Sequence, residues 1–89
     1  KQRNSISLAA LYNNIGMAHF ALGDVTKART CCEKALATQL TAINGPPNAL
    51  FTTYSNLGKI FEFRGDYATA LSYYKQAESI ECSYLSADH

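Results

Sequence analysis

The sequence predicts an all-α fold: an α-solenoid fragment of two helix–turn–helix repeats, four antiparallel helices in total. Three observations carry that expectation. The first is an internal repeat. Tyr12, Asn14, Gly16, Gly23, Asp24, Ala28 and Ala35 recur 42 positions later as Tyr54, Asn56, Gly58, Gly65, Asp66, Ala70 and Ala77, and Leu8 recurs as Leu50. Chance would give about two or three such identities over the overlap of 8–47 with 50–89. A fixed period of this size marks a repeat array rather than a single-core enzyme fold. The second is apolar residues at helical spacing through each half. The third is punctuation: Gly-Asp at 23–24 and 65–66, and Asn44-Gly45-Pro46-Pro47 between the halves. The repeats are expected to occupy 5–47 and 48–89.

In the first helix Asn4 and Ser5 are N-cap candidates, because a short side-chain oxygen can accept an unpaired backbone N–H. Leu8, Leu11/Tyr12, Ile15, Ala18/His19 and Leu22 form the expected packing stripe. Gly16 lies inside this helix, where glycine costs about 1 kcal/mol relative to alanine. Close approach of a neighbouring helix would explain it. Gly23 is expected to end the helix as a left-handed cap and Asp24 to start the next. The second helix carries Val25, Ala28, Cys32, Ala35/Leu36, Gln39/Leu40 and Ile43 on one stripe, with Ala28 and Ala35 small enough for a tight helix pair. The prolines at 46 and 47 cannot continue it. Asn48 is a cap candidate for the third helix, whose stripe is Phe51, Tyr54, Leu57/Gly58 and Phe61. The fourth carries Tyr67, Ala70/Leu71, Tyr74, Ala77 and Ile80 or Glu81, towards Tyr84.

Composition narrows the function classes. At 89 residues the chain holds one domain at most, and its apolar fraction of 47% is not that of a disordered tail. No apolar run is long enough for a membrane helix, and Lys1–Ser5 lacks the features of a secretion signal. Absence of an initiator Met leads us to expect a fragment of a longer protein. The net charge is +1 and no Lys/Arg stripe forms, so nucleic acid is not the expected partner. An odd cysteine count without framework spacing (Cys31, Cys32, Cys82) argues for reduced thiols in the cytosol or nucleus, and a cytoplasmic location is expected.

These elements resemble the tetratricopeptide repeat. Ile15-Gly16 and Leu57-Gly58 match its Leu-Gly element, Gly23-Asp24-Val25 and Gly65-Asp66-Tyr67 its turn, and Ala28, Ala35, Ala70 and Ala77 its small packing positions. The usual period is 34 residues. Eight extra residues correspond to about one more turn per helix, a form similar to kinesin light chain-type repeats. Asn13-Asn14-Ile15 and Leu85-Ser86-Ala87-Asp88-His89 echo that subgroup; Ile43-Asn44-Gly45-Pro46-Pro47 departs from it.

The resemblance implies a right-handed stack whose first helices line a peptide-binding groove. It places Asn13, Asn14, Met17, Phe20 and Ala21 there from the first repeat, and Thr52, Ser55, Asn56, Lys59, Glu62 and Phe63 from the second. Asn14 and Asn56 would offer a donor and an acceptor to a peptide backbone; Met17, Phe20 and Phe63 would offer adaptable apolar surface. Against this stands the alternative that the asparagines only cap or solvate the helix. Chaperone-tail receptors of this family use a Lys and an Asn where Asn13 and Met17 stand, so that specialisation is not expected.

No enzyme, cofactor or metal site is expected. Neighbouring Cys31 and Cys32 point about 100° apart on a helix and cannot converge on one ion. Cys32 is expected buried and Cys31 outward. His19 is expected to be packed, with no nucleophile spaced to use it. Tyr54, Tyr67 and Tyr74 fall on packing stripes, whereas Tyr73 and Tyr84 are expected on the surface. Two repeats are fewer than usually stand alone, so the isolated fragment is expected to self-associate through its last helix. The function implied is protein–protein recognition within a larger scaffold or adaptor; the alternative is a purely architectural spacer or self-association segment of a multidomain protein.

Overall fold

A computed structural model describes the backbone of residues 2–41 and 47–87, and the side chains of 8–41 and 49–82. Four helices follow one another: α1 (Gln2–Ala21), α2 (Val25–Thr41), α3 (Pro47–Phe63) and α4 (Tyr67–Ala87). They pair as α1 with α2 and α3 with α4, and α3 packs on both α1 and α2. The molecule measures 39 × 29 × 17 Å, which is two helix layers in its thinnest direction.

Both helix pairs turn in the same way. Gly23 and Gly65 have φ of 88° and 86°, a conformation that costs a residue with Cβ about 1–2 kcal/mol. Asp24 N–H donates to His19 O at 2.8 Å and Gly23 N–H to Phe20 O at 3.0 Å; Asp66 and Gly65 repeat this towards Phe61 O and Glu62 O. This is a Schellman cap, which satisfies carbonyls at the helix end. The aspartate then caps the following helix, its Oδ1 accepting Lys27 N–H at 3.2 Å in one repeat and Thr69 N–H at 3.2 Å in the other.

At the mid-helix glycines the partner helix leaves little room for a Cβ. A Cβ on Gly16 would lie 2.9 Å from Cys32 Sγ and 3.1 Å from both Ala28 O and Cys31 Cβ. A Cβ on Gly58 would lie 2.6 Å from the Tyr74 ring. Ala28, Cys32, Leu57, Ile60, Phe61 and Ala70 form the core cluster, with Met17, Phe20, Val25, Leu36, Tyr73 and Tyr74 packed around it.

Several expectations are corrected. α1 begins at Gln2, so neither Asn4 nor Ser5 starts it. α3 begins at Pro47, placing Asn48 second in the helix; a first-turn proline lacks only an N–H that would be unpaired anyway. In α1 the inward stripe is Ala9, Asn13 and Gly16, while Leu8, Leu11 and Ile15, and Leu22 just past the helix, are exposed. Both sets share helical spacing, and the inward one carries an asparagine and a glycine, which hydrophobicity does not mark. Tyr67 is 68% exposed, whereas Val25, its counterpart in α2, packs on the core cluster. Tyr73, expected on the surface, instead stacks on Phe61 at 5.6 Å and lies 6.2 Å from Tyr54. Burial raises its pKa, as do the charge of Glu33 and the neighbouring Tyr54. Ile43, Asn44, Gly45, Pro46, Asp88 and His89 lie outside the described residues, and the side chain of Tyr84 outside the described side chains.

Candidate functional site

The face shared by α1 and α3 gathers most of the expected site residues. A buried polar chain crosses beneath it. Asn56 Nδ2 donates to Asn13 Oδ1 at 3.5 Å, and Asn13 Nδ2 donates to Thr53 Oγ1 at 2.8 Å. Thr53 Oγ1 in turn donates to Gln39 Oε1 at 2.7 Å, with Ala49 O a second acceptor at 3.1 Å. One hydroxyl has one proton, so the shorter contact to Gln39 is the favoured direction. The chain ties α3 to α1 and to α2, and so ties the repeats together. Asn13, Thr53 and Asn56 are buried, where leaving one without a partner would cost about 1–3 kcal/mol.

Two hollows lie along α1 and α3, the first of them over this chain. One, of about 180 Å³, is lined by Ala10, Asn13, Asn14, Gln39, Ala49 and Thr52. Asn14 is exposed at its edge. The other, of about 350 Å³, is lined by Phe20, Lys59, Glu62 and Phe63. Phe20 and Phe63 meet edge to face with centroids 5.5 Å apart, joining the C-terminal turns of α1 and α3. That geometry is favourable for aromatic quadrupoles, yet Phe63 remains 69% exposed. Lys59 is an exposed cation beside the rings. Glu62 accepts the Tyr74 hydroxyl at 2.9 Å. Burial first, and then this bond and the Glu62 charge, raise the Tyr74 pKa.

The structure thus separates the eleven expected residues into groups. Asn14 and Thr52 border the first hollow, and Phe20, Lys59, Glu62 and Phe63 build the second. Asn13 and Asn56 are buried against each other, and Asn13 both accepts from Asn56 and donates to Thr53, though it also borders the first hollow. Met17 packs on the core. Ser55 is half-buried and Ala21 exposed, and neither lines these hollows. Sequence reasoning missed Thr53 and Gln39. Their signal was a threonine where the first repeat has Leu11, and a glutamine on the α2 packing stripe.

The cysteines are free thiols. Burial, with Cys31 and Glu33 adding to it, pushes the Cys32 pKa up to about 11. A thiol held protonated at neutral pH is a poor nucleophile and a poor metal ligand. Cys31 is half-buried against Gly16 rather than facing outward. Among the described residues no three His, Cys, Asp or Glu side chains come together as metal ligands, and no helix is long and apolar enough to cross a membrane.

Neither the curated proteins nor the solved structures compared with the chain gave a match. The tetratricopeptide repeat family matches residues 7–81, a span that takes in both Gly-Asp turns, both mid-helix glycines and the α1–α3 face. The chain belongs to the tetratricopeptide repeat family.

Proposed function

We propose that the α1–α3 face binds an extended segment of a partner protein, as part of a scaffold or adaptor. The observation that carries this is the Phe20–Phe63 pair: two aromatic rings held in one geometry across two repeats, with one ring largely open to water. An ordered aromatic surface loses little conformational entropy on binding. The chemistry suits a large apolar side chain seated on the rings, with a single carboxylate reaching Lys59. Asn14, at the other hollow, is placed to pair with the ligand backbone. Asn13 and Asn56 support the face from beneath by fixing the spacing of α1 and α3.

The family is a non-catalytic interaction module, and no catalytic role is assigned to His19 or Cys32. The 42-residue period and Asn13-Asn14-Ile15 support membership of the long-repeat, kinesin light chain-like subgroup. Unpaired thiols support a reducing compartment, and we assign the cytoplasm on that ground.

The test is selection from a displayed library of random linear peptides, followed by titration calorimetry of the winners against Phe63→Ala and Asn14→Ala. Both side chains are exposed, so helicity should be unchanged. Selected peptides should carry an aromatic or large aliphatic residue near an acidic one, and Phe63→Ala should weaken binding at least tenfold. If no peptide is selected, or if Phe63→Ala binds the winners as wild type does, the architectural alternative takes its place.

A further inference from the structure

Lys59 pairs with no anion among the described residues, although a carboxylate is close at hand. It lines the second hollow together with Glu62, three positions further along α3, a spacing at which helix side chains are neighbours. Both are exposed. The ion pairs among the described residues are Lys27 with Asp24 and Arg29 with Glu33, and Lys59 enters neither. Glu62 is engaged elsewhere: its Oε1 accepts the Tyr74 hydroxyl of α4 at 2.9 Å. A hydrogen bond to a charged acceptor outweighs an exposed ion pair one turn along a helix. Tyr74 keeps the proton that it donates at neutral pH, because burial first, and then the bond to Glu62 and its charge, hold its pKa above the usual value. The ring is seated on Gly58, where an added Cβ would lie 2.6 Å from it. Gly58 stands one helical turn before Glu62 and on the same face, so a tyrosine placed there reaches the carboxylate. The first repeat has none of these parts: Met17, Phe20, Ala21 and Cys32 stand where the second has Lys59, Glu62, Phe63 and Tyr74. Both helix pairs nevertheless close around a glycine at this point, so the packing of the pair does not itself require them.

We propose that Tyr74 is a positioning residue for ligand choice: by drawing the Glu62 carboxylate towards α4, it leaves the Lys59 ammonium open to a carboxylate of the bound segment. This rests on the reading that the hollow beside Phe20 and Phe63 receives a peptide. The segment so selected carries one Asp or Glu close to the large apolar side chain that sits on the rings. Without the Tyr74 hydroxyl, Glu62 turns to Lys59 and an ion pair within the chain replaces the one with the ligand. The hollow then no longer distinguishes an acid from its amide. Tyr74 itself lies behind the hollow and not among the residues that line it, so the apolar part of binding does not pass through it.

Two measurements on the full chain test it. The first is NMR of the Lys59 side-chain ammonium in the free protein. In Tyr74→Phe, which keeps the ring on Gly58, the ammonium signal should shift and show coupling to the Glu62 carboxylate; adding Glu62→Gln should return it to its wild-type position. The second is titration calorimetry with a library-selected acidic peptide and the same peptide with its acid replaced by the amide. Wild type should prefer the acid about two- to fivefold, the scale of an exposed ion pair. Lys59→Met should abolish that preference. Tyr74→Phe should abolish it too, with affinity for the amide peptide unchanged, and Tyr74→Phe/Glu62→Gln should restore it. A merely structural role for Tyr74 gives no such restoration. The proposal is overturned if the Lys59 signal is unmoved in Tyr74→Phe, if that variant keeps its preference, if the double variant does not recover it, or if the selected peptides carry no acid. Those results leave peptide binding standing, whereas a wild-type chain that selects no peptide removes both.

Discussion

Gly16→Ala tests how the first helix pair is held. Alanine improves on glycine by about 1 kcal/mol in a helix interior, so a helix judged in isolation would be stabilised. In the folded chain the added methyl carbon meets Cys32 Sγ at 2.9 Å and Ala28 O at 3.1 Å. Ala28 O is backbone and Cys32 is fully buried, so neither can move without separating α1 from α2. Overpacking of a fixed site costs about 1–3 kcal/mol, and this one belongs in the upper half of that range. The net expectation is a loss of about 1–2 kcal/mol. For a domain of this size each kcal/mol corresponds to about 4–8 °C in Tm. Urea unfolding followed by helical circular dichroism should show a lower midpoint with an unchanged slope. Gly58→Ala is the internal comparison. All three atoms its methyl would meet belong to the ring of Tyr74, which is half-buried and can swing outward at the expense of its bond to Glu62. That variant should stay within about 0.5 kcal/mol of wild type, the ring displacement offsetting the helix-propensity gain. A Gly16→Ala chain as stable as wild type would refute the view that close helix approach is what keeps glycine there.

Other substitutions separate buried groups from exposed ones. Asn13→Ala should destabilise by about 1–3 kcal/mol by orphaning its partners in the buried chain, whereas exposed Asn14→Ala should change stability by less than about 0.5 kcal/mol; equal effects in urea melts would remove the supporting role assigned to Asn13. Gly65→Ala should cost about 1–2 kcal/mol, because its φ of 86° strains any residue with a Cβ, and a neutral thermal shift would contradict the cap. Thiol labelling of native protein near neutral pH should modify exposed Cys82 first and reach Cys32 only on unfolding. The Cys32 thiol ionises near 9.0 when unfolded and near 11 when folded, so its contribution is intact below pH 9 and is lost as pH climbs towards 11. The loss is at most about 1.4 kcal/mol per pH unit. Tyr73 and Tyr74 are raised as well and act in the same direction. Cys32→Ala should therefore reduce the alkaline fall in Tm without abolishing it, and an unchanged slope would contradict the assignment.

What was legible in the sequence followed from features that the backbone demands twice. Gly23-Asp24 and Gly65-Asp66 must supply a left-handed residue and then a cap, and few residue types do both. Gly16 and Gly58 stand out because a helix interior disfavours glycine unless a neighbour excludes Cβ. The inward face of α1 was not legible. It is marked by Asn13, whose burial depends on hydrogen bonds to Thr53 and Asn56 across 40 or more positions of chain. One sequence does not reveal such a pairing, and the exposed Leu8, Leu11, Ile15 stripe has the stronger hydrophobic signal. Tyr73 and Tyr67 were misplaced for a related reason. Their exposure depends on which flank of α4 faces α2 and α3, and helical spacing within α4 carries no information about that. At the candidate site the family resemblance led to the expectation of Phe20, Phe63 and Lys59 on one face, and these three line one hollow. The inward commitment of Asn13 and Asn56 emerged only from geometry.

The most direct test of peptide recognition on the α1–α3 face is an NMR titration of the labelled chain with a library-selected peptide. Amide shifts should concentrate around Asn14, Phe20, Thr52, Lys59 and Phe63, and the same peptide should leave the spectrum of Phe63→Ala largely unmoved. Shifts confined to the outer flanks of α2 or α4, or an undiminished response in Phe63→Ala, would contradict recognition on that face.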